Sequence, residues 1–147
     1  IEMDPMKDNP KQGDFLIRNL MGADRESGAL VIGTLLRNGQ LVQFHLRDKQ
    51  MSAEDLNVML TRYLQQGNAE NAKGALLFSC LGRGKYLYGK TNHDTDMFRS
   101  KLGEIPLGGF FCNGEIGPVG NTTFLHGYTS SFGIFRPLAG ETDSKSP

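Results

Sequence analysis

The clearest pattern along the chain is the alternation in residues 41–48 (LVQFHLRD). Val42, Phe44 and Leu46 fall on one face of an extended segment, and Gln43, His45 and Arg47 on the other. Two apolar segments precede it, residues 14–21 (DFLIRNLM) and the β-branched run 29–36 (ALVIGTLL). Asn38-Gly39 is a strong hairpin signal between the second and third segments, which together predict a three-stranded meander. The period then changes. Leu56, Met59, Leu60, Tyr63 and Leu64 form one helical stripe, with Ser52 as the expected N-cap and Gly67 as the stop. Residues 74–80 (GALLFSC) are almost continuously apolar, as in a central strand, and open into the Gly-rich loop 81–84. Asp94 begins a second helix that turns Met97, Phe98 and Leu102 inward before Gly103.

The last apolar region, residues 106–135, is punctuated by seven glycines and by turn signals at Asn113-Gly114, Gly117-Pro118 and Gly120-Asn121. Its final part, residues 123–135, is long enough for one strand bent at Gly127 and Gly133. The predicted order is β-β-β-α-β-α-β-β. Tight turns between consecutive strands and only two helices imply an α+β two-layer domain with a mostly antiparallel sheet. The expected boundaries are a linker over 1–13, a domain over 14–137 and a flexible tail over 138–147.

Composition narrows the function classes. The 147 residues carry sixteen basic and sixteen acidic side chains, so net charge gives no case for nucleic acid or an anionic membrane as partner. No run approaches the length of a membrane-spanning helix. Two cysteines, Cys80 and Cys112, read as reduced thiols of an intracellular protein. A cytoplasmic location is expected, or a plastid one if a transit peptide has been removed. The first residue, Ile1, suggests a domain cut from a longer protein or a processed N-terminus.

Chemistry concentrates at the ends of apolar segments, where sites are often built. Cys112, Asn113 and Glu115 follow the apolar Phe110-Phe111 pair. Cys112 with His126 as base and Glu115 as orienting carboxylate would form a thiol-enzyme set, while a buried cysteine more often behaves as a small hydrophobe. Arg83, between Gly82 and Gly84, suits a carboxylate clamp or simply an exposed turn. The three histidines and two cysteines lack zinc-ligand spacing, and nothing in the placement of the histidines asks for haem.

These motifs also carry a resemblance. FSCLGRG, the Tyr-rich loop, the D-x-x-F helix, IPLGGFFCNGEIGPVG and FLHGYTSSFGIF resemble the C-terminal domain of the FIST family, over residues 13–137 and in its bacterial and plant-type form. The resemblance implies an intracellular sensory or signal-transduction module whose ligand is a small molecule, with amino acids as candidates. Haem is a candidate cofactor by resemblance alone, since some bacterial members are described as haem-based nitric oxide sensors. The family's N-terminal domain is the implied partner in the same parent chain.

The expected reading is a ligand-binding sensory module without catalysis, its site formed by Arg83, Cys112, Asn113, Glu115 and His126. A protein-interaction scaffold, as in the F-box relatives, is the alternative and would display Tyr86, Tyr88 and Phe132. A cysteine-dependent hydrolase or transferase built on Cys112 is a third reading.

Overall fold

The computed structural model describes residues 1–4, 6–67, 69 and 71–138. The chain divides into two compact units, Ile1–Leu46 and Arg47–Pro147, where the sequence suggests one domain. Residues 139–147, most of the expected tail, lie outside the described residues.

In the first unit two short strands, β1 (Leu20–Ala23) and β2 (Leu30–Ile32), pair antiparallel, with an irregularity between Leu20 and Gly22. The expected first linker is engaged instead. Ile1 and Glu2 are buried, Glu2 bridges Phe15, and the Ile1 ammonium donates to the Leu16 carbonyl at 3.0 Å. Asn38-Gly39 does form a turn, with Gly39 at φ 83° and the Gln40 N–H donating to the Arg37 carbonyl at 3.3 Å. No strand follows it. The alternating apolar residues of 41–48 lack a covering layer: Phe44 is 77% and Leu46 98% exposed. Strand pairing draws most of its stability from packing on a face, so the pattern alone does not make a third strand.

The second unit is an α+β layer pair. Its sheet has the order β4-β3-β7, with β3 (Gly74–Cys80) central, β4 (Leu107–Cys112) parallel to it and β7 (Ser130–Phe135) antiparallel. Helix α1 (Lys49–Gln65) starts four residues earlier than Ser52 as N-cap predicts. Asp48 is the N-cap, its carboxylate accepting the Met51 N–H at 2.8 Å, and Ser52 lies within the first turn. A short helix α2 (Lys85–Tyr88) follows the Gly-rich loop, and α3 (His93–Leu102) leads to β4. Residues 123–135 do not form one bent strand. They divide into β6 (Thr122–His126), which forms a hairpin with β5 (Glu115–Val119), and β7, which leaves the hairpin to pair with β3. The break falls at Tyr128, whose φ of 62° is left-handed and ends strand geometry.

Helix α3 seats on the sheet by a simple match of repeats. Four helical residues advance about 6 Å, and two strand residues about 6.6 Å. Asp94 and Phe98 therefore meet successive rows of one sheet face. Phe98, fully buried, stacks on Phe132 at 5.3 Å, and Asp94 meets the hydroxyls of the paired Ser79 and Ser130. Leu56 and Leu60 of α1, with Ala75, complete the buried core around Phe98. Apolar burial on this face is the main stabilising term of the unit.

Candidate functional site

Loop 81–84 and the start of α3 form a buried ionic network. Arg83 is 5% exposed and faces Asp94, also 5% exposed, through two bonds: Nε to Oδ2 at 2.7 Å and Nη2 to Oδ1 at 3.1 Å. Ser130 donates to Asp94 Oδ2 at 2.7 Å. Arg83 Nη2 also reaches the Tyr88 hydroxyl at 2.6 Å, and Nη1 the Tyr128 carbonyl at 3.4 Å. Arg47 donates to the Gly82 carbonyl and lies over the Tyr128 ring at 4.5 Å. His93 stacks flat on Tyr88, with ring centroids 3.5 Å apart, and its Nδ1 lies 3.0 Å from Asp94 Oδ1.

These contacts shift the titrating groups. Burial alone would raise the Asp94 carboxyl, but the hydrogen bonds and charge of Arg83, with His93 and Ser130, hold it at about 2. Burial pushes the Tyr88 phenol up to about 12, against the opposing charge of Arg83. Asp94 is therefore an anion throughout the physiological range. Its folded value lies below the ordinary 3.8, so its stabilisation is present above pH ~4 and is lost as pH falls toward ~2. We expect roughly 2 kcal/mol of stability to disappear over that window. Urea unfolding at several pH values checks this, and an unchanged acid slope in Asp94→Asn would contradict it.

A cavity of about 450 Å³ opens beside this network, lined by residues at the carboxyl-end half of β3, along β4 and at the start of α3. Open α/β sheets commonly bind ligands outside the carboxyl ends of parallel strands. Leu77, Leu107 and Phe111 supply apolar wall, and Lys85, Asn92 and His93 supply polar groups. Gly109 makes the β3–β4 approach so close that a Cβ there would lie 2.0 Å from the Leu77 carbonyl oxygen.

Of the five residues singled out from the sequence, Arg83 lines this cavity and the other four do not. The Arg83 fork is closed by Asp94 rather than open to a ligand carboxylate. Cys112 Sγ faces Glu115 Oε1 at 3.5 Å and the Ser79 carbonyl at 3.6 Å. Glu115 is fully buried and also accepts the Thr129 N–H at 3.2 Å. Burial, then the Glu115 hydrogen bond, push the Cys112 thiol up, away from the thiolate. His126 Nε2 donates to the Gly117 carbonyl at 3.0 Å, and Asn113 is an exposed turn residue. Of the aromatics expected on display, Tyr86 is exposed, whereas Tyr88 and Phe132 stack inward on His93 and Phe98.

In the sequence Asp94 reads first as a helix-start residue, though one that could face a site, and His93 does not stand out. The available signal is their position at the start of the first predicted helix after a Gly-rich loop that carries an arginine. Among the described residues no group of three or more His, Cys, Asp or Glu side chains is placed to hold a metal ion. A haem would find one histidine at the cavity, His93, since His126 already bonds Gly117 and His45 packs by Phe15 in the first unit. No helix among the described residues is long and apolar enough to cross a membrane.

Comparison with known proteins shows the family. The FIST C domain model matches residues 3–118. An uncharacterized protein of Mycobacterium tuberculosis is 45% identical over 126 residues, covering 86% of this chain and 33% of its own length. The F-box/LRR-repeat protein of Arabidopsis thaliana is 26% identical over 142 residues, 86% of this chain and 27% of its own. Human F-box only protein 22 is 50% identical over 42 residues, 28% of this chain and 10% of its own. The chain spans about a third of the length of the mycobacterial relative. The fold is that of an α+β signal-transduction domain. The chain belongs to the FIST C-terminal domain family.

Proposed function

We propose that this chain is the C-terminal part of a small-ligand sensory module and that the cavity between α3, β3 and β4 receives the ligand. The observation that carries this reading is the joint presence of a cavity of about 450 Å³ and a buried, fully partnered ionic network along its wall. Cavities of a few hundred Å³ with mostly apolar walls and a few fixed polar groups are the usual form of small-molecule sites. An amino acid with an apolar side chain suits both kinds of lining. The FIST N-terminal half, in the same parent chain, is the partner that would receive the signal. The role is binding without catalysis, a reading supported by the raised Cys112 thiol and by the engagement of His126 with Gly117.

Thermal-shift measurements on the full chain with each protein amino acid test the proposal. Apolar amino acids are expected to raise the melting temperature of the wild type. Leu81 lines the cavity and is 54% exposed, so Leu81→Trp should obstruct the site without disturbing the core. Loss of the shift in that variant supports the site. A folded wild type that responds to none of these ligands would overturn the reading.

A further inference from the structure

We infer that His93 reads the ligand, its Nε2 accepting a hydrogen bond from a donor group such as the ammonium of an amino acid. The inference rests on the cavity being the ligand site, and it assigns a chemical preference that cavity shape alone does not. Asp94 is ionised and can only accept, so the 3.0 Å contact requires Nδ1 to carry the proton. In the neutral ring the proton is then absent from Nε2, which is left as an acceptor. Nε2 has no hydrogen-bond partner among the described residues, whereas Nδ1 is held. A flip of the ring about Cβ–Cγ would put Cδ2 in place of Nδ1 and lose the Asp94 contact. The ring is stacked on Tyr88 at an interplanar angle of 11°, and Tyr88 is itself tied to Arg83 through its hydroxyl.

The result is a chain of fixed partners, Arg83 to Asp94 to His93, ending in a ring that lines the cavity and, when neutral, keeps its free lone pair at Nε2. Such preorganisation favours a ligand N–H or O–H and disfavours an analogue that lacks it, because a polar group without its partner is then buried. The charged neighbours are Arg83 and Asp94, which neutralise each other, and the exposed Lys85 at the cavity rim. None of them duplicates the acceptor at Nε2. A histidine serving only to cap α3 would not need a fixed tautomer, and the helix has no side-chain cap bond at Asn92.

Two measurements on the full chain decide this. Nitrogen-15 NMR of the imidazole at about pH 8, above the ordinary histidine range, reads the tautomer without any ligand. Protonated Nδ1 with bare Nε2 is expected at His93, and the opposite tautomer would overturn the inference. Calorimetric titration then compares L-leucine with 4-methylpentanoate, which has the same carbon skeleton without the ammonium. The wild type should prefer leucine by on the order of tenfold, the worth of one hydrogen bond to a charged donor. His93→Asn keeps an amide near the Nδ1 position and lacks Nε2, so the preference should vanish. His93→Gln, whose amide oxygen can reach the Nε2 position, should restore part of it.

Equal binding of the two probes by the wild type would overturn the role of His93 and leave the cavity as the binding site. Binding of neither would overturn both readings. Addition of hemin is the counter-test. A Soret band that is lost in His93→Asn would make Nε2 a metal ligand and overturn its assignment as a hydrogen-bond acceptor.

Discussion

Asp94→Ala is expected to destabilise the protein by about 3–5 kcal/mol, the usual result of removing one partner from a buried ion pair. The reason is what remains. Arg83 is 5% exposed and keeps its charge at any accessible pH, so it is left as a buried cation without its carboxylate. The Tyr88 hydroxyl and Tyr128 carbonyl are neutral and cannot replace it. Ser130 and His93 lose an acceptor at the same time. Replacing both charges, as in the double variant Arg83→Met with Asp94→Leu, should recover most of the loss, because the cost lies in the orphaned charge. Urea unfolding of the two single variants and the double variant gives the comparison. Additive losses would show that the ion pair is not the coupled unit described here.

Gly109→Ala should cost about 3 kcal/mol or more, because the added methyl clashes with backbone and because φ 154° is a conformation that residues with a Cβ rarely adopt. The added methyl would lie 2.0 Å from the Leu77 carbonyl oxygen and 2.9 Å from the Leu77 amide nitrogen. Both belong to the backbone of β3, so neither a rotamer change nor a small side-chain shift can relieve the clash. Gly108 provides the control. A Cβ there meets only a Leu76 methyl at an ordinary 3.8 Å, and Gly108→Ala should be tolerated far better. Thermal unfolding of the pair checks the contrast. Equal stability would mean that β4 can move away from β3 at little cost.

Much of the second unit is legible in the sequence because its signals are local and agree with its packing. The run GALLFSC is the central strand, with boundaries matching the prediction. Phe98 lies on the inward stripe of α3, and Gly103 ends that helix. The α1 start is displaced because Asp48 is as good a cap as Ser52 and lies earlier. In the first unit, periodicity misleads. Val42, Phe44 and Leu46 alternate as a strand should, but a strand also needs a partner ladder and a covering layer, and neither is encoded in the alternation itself.

The candidate site shows the same division between local and distant information. Arg83 stands out in the sequence because two glycines flank it. Its partner lies eleven residues away on another element, and Ser130 lies thirty-six residues beyond Asp94. A single sequence gives no measure of such proximity. Cys112, Glu115 and His126 stand out by residue type, yet Cys112 and Glu115 bond each other, and His126 satisfies a neighbouring backbone carbonyl.

The match between the α3 stripe and the sheet rows has a mechanical consequence. Asp94 and Phe98 engage successive rows of the same face, like two teeth of one rack. The helix cannot slide by a fraction of a row without losing the Arg83-linked carboxylate contacts and the Phe132 stack together. Intermediate positions are therefore unfavourable. Because the Phe98 cluster includes Leu56 and Leu60, any shift of α3 would also disturb its packing against α1.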